Sequence, residues 1–232
     1  MLEPGNPPSR WMFPNPAKAA GGRELLAIGG DLEPSTLVDA YARGLFPMPL
    51  SPGTEVPIGW ISPDPRGILP VDSFHVSRSL RRNMRRFTFT VDRVFDEVVA
   101  GCADPDRTNG WIDDRMVAAY HRLHEVGLAH SIEVWAFAEQ SNLAGGLFGV
   151  EINGLFAAES MFHRVTDASK AAVAELVRVV SAGDHPKQRL IDVQWLTPHL
   201  ERLGARAIGR PDYLDRLRCA LALQPVFGSS PI

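Results

Sequence analysis

The sequence predicts an α+β protein, with a small loop-rich N-terminal domain followed by a larger domain around a mostly antiparallel sheet. Three observations lead there. Proline and glycine crowd the chain from Pro4 to Pro70, while longer periodic segments begin at Asp72. Asn153-Gly154 stands between two apolar runs near the middle of the chain, and this pair favours a two-residue hairpin turn. Helical and strand patterns mix without the strict alternation of a parallel βαβ fold. The division falls at residue 70, giving domains 1–70 and 71–232.

In the first domain one helix is expected, from about Pro34 to Arg43. Proline suits its first turn and Gly44 the position just past its end. In the second, a helix from about Ser77 to Arg86 precedes a strand over Phe87–Val91, and a further helix covers Asp92–Ala100. Asp113–Val126 reads as helix, stopped by Gly127, and Ser131–Ala136 as strand. Ala144–Ile152 and Leu155–Phe162 form the hairpin. Asp167–Val180 is helical with Asp167 as N-cap. Arg189–Trp195 is a strand, a short helix starts near Thr197, and a last helix follows Pro211.

The chain has 232 residues, 45% of them hydrophobic and 22% charged, an ordinary globular composition. No apolar run nears the ~18 residues that span a bilayer. Residues 1–16 lack a basic stretch followed by an apolar one, so no signal peptide is expected. Cys102 and Cys219 are far apart and form no CxxC pattern, which points to a reducing, cytoplasmic setting. Net charge is −3, so any contact with nucleic acid must come from a local patch rather than from overall charge.

Such a patch is visible. Arg78, Arg81, Arg82, Arg85 and Arg86 follow helical spacing with no acid among them, and span about 140° of arc at roughly 100° per residue. Val76, Leu80, Met84 and Phe87 fall opposite. A solvated basic face is the plainer reading, but such faces usually mix signs because like charges at i, i+4 repel. Guanidinium suits phosphate, so the stripe points to nucleic acid or another polyphosphate, without base specificity.

Two apolar strands carry carboxylates. In Leu190–Trp195, alternation places Leu190, Asp192 and Gln194 on one face and Ile191, Val193 and Trp195 on the other. In Leu155–Phe162, Glu159 shares a face with Leu155, Ala157 and Met161. A buried carboxylate must be paired, hydrogen-bonded or protonated. A structural ion pair explains either one alone; the repetition in two strands points to a common reaction cleft. Other chemistries are weak. His121 and His124 have i, i+3 spacing but read as helix-surface residues. No HExxH, GxSxG or GxxxxGK[ST] pattern occurs. Gly145-Gly146 and Gly149 suit close strand approach better than a phosphate loop.

The chain resembles the leucyl/phenylalanyl-tRNA–protein transferases from about Phe13 to Leu217. The matching segments are Leu26–Leu32, Arg43–Pro47, Ser62–Arg66, Ala119–Glu125, His130–Trp135, Glu159–Phe162, Ala168–Lys170 and Leu190–Gln194. The resemblance implies a small N-terminal domain and an acetyltransferase-like (GNAT-like) mixed-sheet domain. It implies transfer of Leu or Phe, sometimes Met, from the acceptor arm of an aminoacyl-tRNA to proteins or peptides with N-terminal Arg or Lys, making an N-degron. An aminoacyl ester is already activated, so no cofactor, ATP or metal is expected; nor is a membrane partner, and the protein is expected to be a monomer.

By the same resemblance, Asp192 with Gln194 activates or positions the attacking amine, and Glu159 holds the acceptor's basic first residue or the reacting end. Leu147, Phe156, Val180 and Ile191 line the donor side-chain pocket, Trp60 and Trp111 lie near the terminal adenosine, and the arginine stripe holds acceptor-stem phosphates. The chain departs from the family pattern at Met48, Ile61, Val180 and Val193, and carries an extra Asp184-His185-Pro186. An acetyl-CoA-dependent N-acetyltransferase of the same fold is an alternative, disfavoured because no pyrophosphate-binding glycine run opens the helix near Asp167. A non-catalytic RNA-binding module is the other.

Overall fold

The computed structural model describes residues 9–51, 56–106, 110–137 and 142–228; the start of the proline-rich zone, residues 1–8, lies outside them. A short 3-10 turn at Pro16–Lys18 leads to β1 (Leu25–Ile28), α1 (Pro34–Ala42), β2 (Phe46–Pro49), β3 (Ile58–Ile61) and β4 (Arg66–Ile68). Then come α2 (Arg78–Met84), β5 (Phe87–Val91), α3 (Phe95–Cys102), α4 (Asp114–Glu125), β6 (Ala129–Ala136), β7 (Leu143–Ile152), β8 (Leu155–His163) and α5 (Ala168–Ala182). After a turn at Pro186–Gln188 follow β9 (Leu190–Gln194), α6 (Pro198–Glu201), β10 (Arg206–Ile208) and α7 (Arg210–Ala220).

Two sheets result. β1, β3 and β2 form a small antiparallel sheet, and seven strands in the order β10-β4-β9-β8-β7-β6-β5 form a large one. The chain passes from the small sheet to the large one between Ile61 and Arg66. All pairings in the large sheet are antiparallel except β8 with β9, as the mostly antiparallel expectation requires. That parallel ladder joins only Leu155–Ala157 to Leu190–Asp192. Beyond it β8 continues to His163, paired with β7 alone, while β9 ends at Gln194.

Helix α5 covers one face of the large sheet with Ala171, Leu176, Val180 and their neighbours. On the other face α1, α3, α4 and α7 bury Leu37, Tyr41, Val98, Tyr120, Leu123 and Tyr213. The hairpin turn is held from outside: Gly154 donates to the Ala220 carbonyl, and a Cβ there would sit 2.7 Å from that oxygen. Only Asn153 adopts positive φ, +57°, so the turn is not the doubly left-handed form that Asn-Gly favours.

Two helix starts and one cap differ from expectation, and α2 ends at Met84 rather than Arg86. α3 begins at Phe95, not Asp92, because Asp92 has φ +56° and its carboxylate receives the Ser131 amide and contacts His130. α7 begins at Arg210, one residue ahead of Pro211 in its first turn. Asp167 occupies the N-cap of α5 but caps nothing: φ is +71°, and its carboxylate bonds Asn83 and Lys170 instead. No helix among the described residues is long and apolar enough to cross a membrane.

Candidate active site

Glu159 owes its position to a β-bulge. Opposite β7, Phe148 faces Ser160 and Gly149 faces Ala158, which leaves Glu159 as the extra residue. Bulges re-aim side chains. Met161 consequently packs on the α5 side while Phe162 packs on the other, so Glu159 and Met161 do not share the face that plain alternation assigns them. Glu159 enters the layer beneath α1 and α4. There Tyr41 donates to Oε1 at 2.8 Å, Tyr120 donates to Oε2 at 2.8 Å, and the Gln194 amide donates to Oε1 at 3.3 Å.

Burial pushes the Glu159 carboxyl up to about 7, against the pull of the two tyrosine hydroxyls. Both phenols are in turn held well above their ordinary value, first by burial and then by the Glu159 charge. Glu159 is 9% exposed. A carboxylate has roughly four acceptor positions, so one position on Oε2 is left for an incoming donor. A buried carboxyl that titrates near neutrality where the β8–β9 ladder ends suits proton transfer.

Asp192 differs in each respect. It is wholly buried. Oδ1 accepts from Arg66 Nε at 2.9 Å and from the Gln194 main-chain amide at 2.9 Å; Oδ2 accepts from Arg66 Nη2 at 2.5 Å and from Tyr213 at 2.8 Å. All of its acceptor positions are filled. Burial opposes the charge of Arg66, whose guanidinium lies between the rings of Phe46 and Tyr213 at 4.8 and 4.6 Å, but Asp192 more than offsets that. An Asp192 carboxylate that activates an amine directly is therefore corrected by this geometry: no donor reaches it without displacing Arg66, Tyr213 or Gln194. What it does hold is Gln194, whose φ of +55° turns the chain so that main chain meets Asp192 and side chain meets Glu159. The two carboxylates meet through that one residue.

The expected pocket residues fall elsewhere. Leu147, Phe156, Val180 and Ile191 form part of the cluster under α5, each 1–2% exposed, on the opposite face of the sheet from Glu159. Alternation explains it: Ile191 adjoins Asp192, and Phe156 is three residues before Glu159. They are packed as core. Trp60 is also corrected. Its indole is 1% exposed, donates to the Gly29 carbonyl at 2.7 Å and meets Phe13 edge-on, so it presents no face for stacking. Trp111 is half-buried and lies edge-to-face with Tyr120, 6.4 Å between centroids, which places it beside Glu159's partner.

The arginine stripe is displayed as its spacing predicts. Arg78, Arg81, Arg82, Arg85 and Arg86 are all exposed, while Leu80 is buried and Val76 and Met84 pack inward. Ser77 caps α2 by accepting from the Leu80 amide, and Asn83 ties α2 to Asp167 at the start of α5. His121 pairs with Asp96 and His124 stacks on Phe95, so both are engaged on the helix surface.

Sequence reasoning missed Tyr41, Tyr120, Arg66 and Tyr213. Arg66 and Tyr120 lie inside segments that carry the family resemblance, but nothing local signals which carboxylate each one meets.

Comparison with known proteins agrees with that resemblance. A family model described as leucyl/phenylalanyl-tRNA protein transferase matches residues 68–218, and one for the N-terminal domain of the same transferase matches residues 30–64. Curated proteins named leucyl/phenylalanyl-tRNA–protein transferase are similar over most of their length. That from Oleidesulfovibrio alaskensis is 45% identical over 218 residues, covering 91% of this chain and 85% of the relative. The Salinibacter ruber protein is 46% identical over 197 residues, covering 84% and 83%. The Klebsiella pneumoniae protein is 47% identical over 211 residues, covering 88% and 85%. A family model spanning well over half the chain, with relatives at this identity and coverage, places the chain in the leucyl/phenylalanyl-tRNA–protein transferase family.

Proposed function

We propose that the protein moves Leu or Phe, and in the wider family Met, from an aminoacyl-tRNA to the α-amino group of a protein beginning with Arg or Lys, and so marks that protein for proteolysis. The observation that carries the chemistry is Glu159, a buried carboxyl poised near neutrality where β8 and β9 part. The amine attacks the ester carbonyl, a C–N bond forms, and the ester C–O bond breaks. Glu159 takes the proton that the amine gives up and returns it to the departing ribose oxygen. An α-amino group titrates at about 7.7–8, so a base near 7 is well matched.

In this reading Gln194 fixes Oε1 of Glu159, and Asp192 with Arg66 fixes Gln194; they position rather than react. The ester sits where β8 and β9 part, with the donor side chain directed toward Leu147, Phe156, Val180 and Ile191 under α5. That layer parts to admit it. An apolar layer separates similar hydrophobes by only about 1–3 kcal/mol per methylene, which fits a family that accepts both Leu and Phe. Trp111 borders the terminal nucleotide, and the exposed arginines of α2 meet acceptor-stem phosphates. Cys102 is buried, Cys219 is exposed and neither forms a disulfide, in keeping with a reducing, cytoplasmic setting.

The test is direct. Purified protein, labelled Leu-tRNA and a peptide beginning with Arg should yield labelled peptide with no further factor. Absence of transfer, or transfer that survives ribonuclease treatment of the donor, overturns the proposal.

A further inference from the structure

At the end of the large sheet away from Glu159, β4, β9 and β10 come together around a recess. Arg206 opens β10 opposite Ile68, and Leu190 and Ile191 open β9. With the turn at Pro186–Gln188 and α7 they line a recess of about 120 Å³, below the about 300–1,000 Å³ of drug-sized sites, so that only a compact ligand fits. Four cations line it, Lys187, Arg189, Arg206 and Arg216, against a single acid, Asp72, which lies 4.0 Å from Lys187.

The cations are of two kinds. Arg189 is 7% exposed and rigidly held: Nε donates to the Asp184 carbonyl at 3.1 Å and Nη1 to the Gln224 carbonyl at 2.9 Å. Both partners are neutral. Glu151, the buried carboxyl that senses the Arg189 charge, is taken up by the Val226 and Phe227 amides. Arg206 and Arg216 are exposed, and among the described residues neither has a carboxylate within ion-pairing distance. Exposed cations without acid partners around a concavity, beside the positive charge of Arg189, make a receptor for a compact multivalent anion. Guanidinium forks match phosphate oxygens, and like charges crowded in a recess repel one another until an anion enters.

The recess lies at the other end of β9 from Gln194 and past the end of α5. Leu190 and Gln194 stand at opposite ends of β9, about 13 Å apart at strand rise. α2 is tied to the start of α5, whereas the recess lies past its end; the 15 residues between span about 22 Å. We propose that the cavity is a separate anion site for a compact polyphosphate, either inorganic pyrophosphate or the phosphate chain of a nucleoside triphosphate.

Calorimetric titration of the full chain at constant ionic strength tests this, with pyrophosphate, ATP, sulfate and a short acceptor-stem RNA duplex as separate arms. Pyrophosphate should bind saturably at one site and raise the unfolding temperature, with sulfate at least tenfold weaker. Equal binding of ATP means that the phosphate chain alone is read; tighter binding means that the nucleoside contributes. Both support the site. Arg206→Ser/Arg216→Ser, changes confined to exposed side chains, should weaken pyrophosphate at least tenfold with unchanged circular dichroism. Lys187→Ser should weaken it less, and Arg82→Glu/Arg85→Glu not at all. No saturable binding overturns the proposal, as does affinity unchanged in the Arg206/Arg216 variant. Competition by the RNA duplex that is lost in the same variant also overturns it, because the recess then belongs to the RNA surface.

Discussion

Replacing Asp192 by Asn separates a positioning role from a chemical one. Four hydrogen bonds converge on Asp192, two of them from an Arg66 guanidinium that is itself 1% exposed. Without the carboxylate charge, Arg66 keeps one neutral amide oxygen, the Gly44 carbonyl at 3.2 Å and two ring faces. The new amide also turns an N–H group toward donors. Breaking one side of a buried ion pair costs about 3–5 kcal/mol, a large part of a typical total of about 5–15 kcal/mol. With a urea slope of roughly 2–3 kcal/mol/M, the midpoint should fall by about 1–2.5 M. The assay is equilibrium unfolding in urea followed by tryptophan fluorescence, run beside transfer kinetics. Asp192→Leu/Arg66→Met, which removes both charges, should recover most of the midpoint yet stay poorly active, because Gln194 loses the anchor that aims it at Glu159. An Asp192→Asn protein with an unshifted midpoint and a transfer rate reduced a hundredfold or more would refute this reasoning and return Asp192 to the chemistry.

Other outcomes follow from the same structure. Burial raises the Glu151 carboxyl from its ordinary 4.5 to about 7, so the folded protein holds that proton more tightly than the unfolded chain does. The resulting stability is complete below about pH 4.5 and is lost as pH rises to about 7. Glu151→Gln still accepts from Val226 and Phe227 but cannot ionise, so its stability relative to the unmodified protein should climb between about pH 5 and about pH 8, by at most about 3 kcal/mol. A difference that stays flat with pH contradicts the shift. Arg82→Glu/Arg85→Glu should weaken tRNA binding and lower the salt slope by up to about 2 units, roughly 0.7–0.9 per phosphate lost; intact binding with a steep slope puts the phosphate site elsewhere. Trp111→Ala should raise KM for aminoacyl-tRNA by the roughly 1–3 kcal/mol of one stacked base while sparing kcat. An unchanged KM removes Trp111 from the donor site.

What could be read from the sequence was local. Asn153-Gly154 located the hairpin, the arginine spacing of 78–86 located an anchored basic helix, and Glu159, Asp192 and Gln194 stood out as polar residues in apolar strands. The limits are equally physical. β1–β4 have only three or four residues each, and proline interrupts the zone that contains them, so period-two alternation has no length in which to show. The bulge at Glu159 depends on pairing with β7 and leaves no mark in the local pattern. Arg66 lies 126 positions from Asp192, and Tyr41 lies 118 from Glu159. Only the folded chain shows that one carboxylate is sealed by an arginine and the other is held by phenols. Both carboxylates were visible as anomalies; their difference in role was not.

The most direct measurement is the pH dependence of kcat/KM for transfer to an Arg-initiated peptide, for the unmodified protein and for Glu159→Gln. The unmodified protein should show two rising limbs, one near 7 from Glu159 and one near the acceptor amine at about 7.7–8. The variant should retain tRNA affinity, lose about 10²–10⁴ in rate and keep only the amine limb. A Glu159→Gln protein that works within threefold of the original with both limbs intact contradicts the assignment of proton transfer to Glu159.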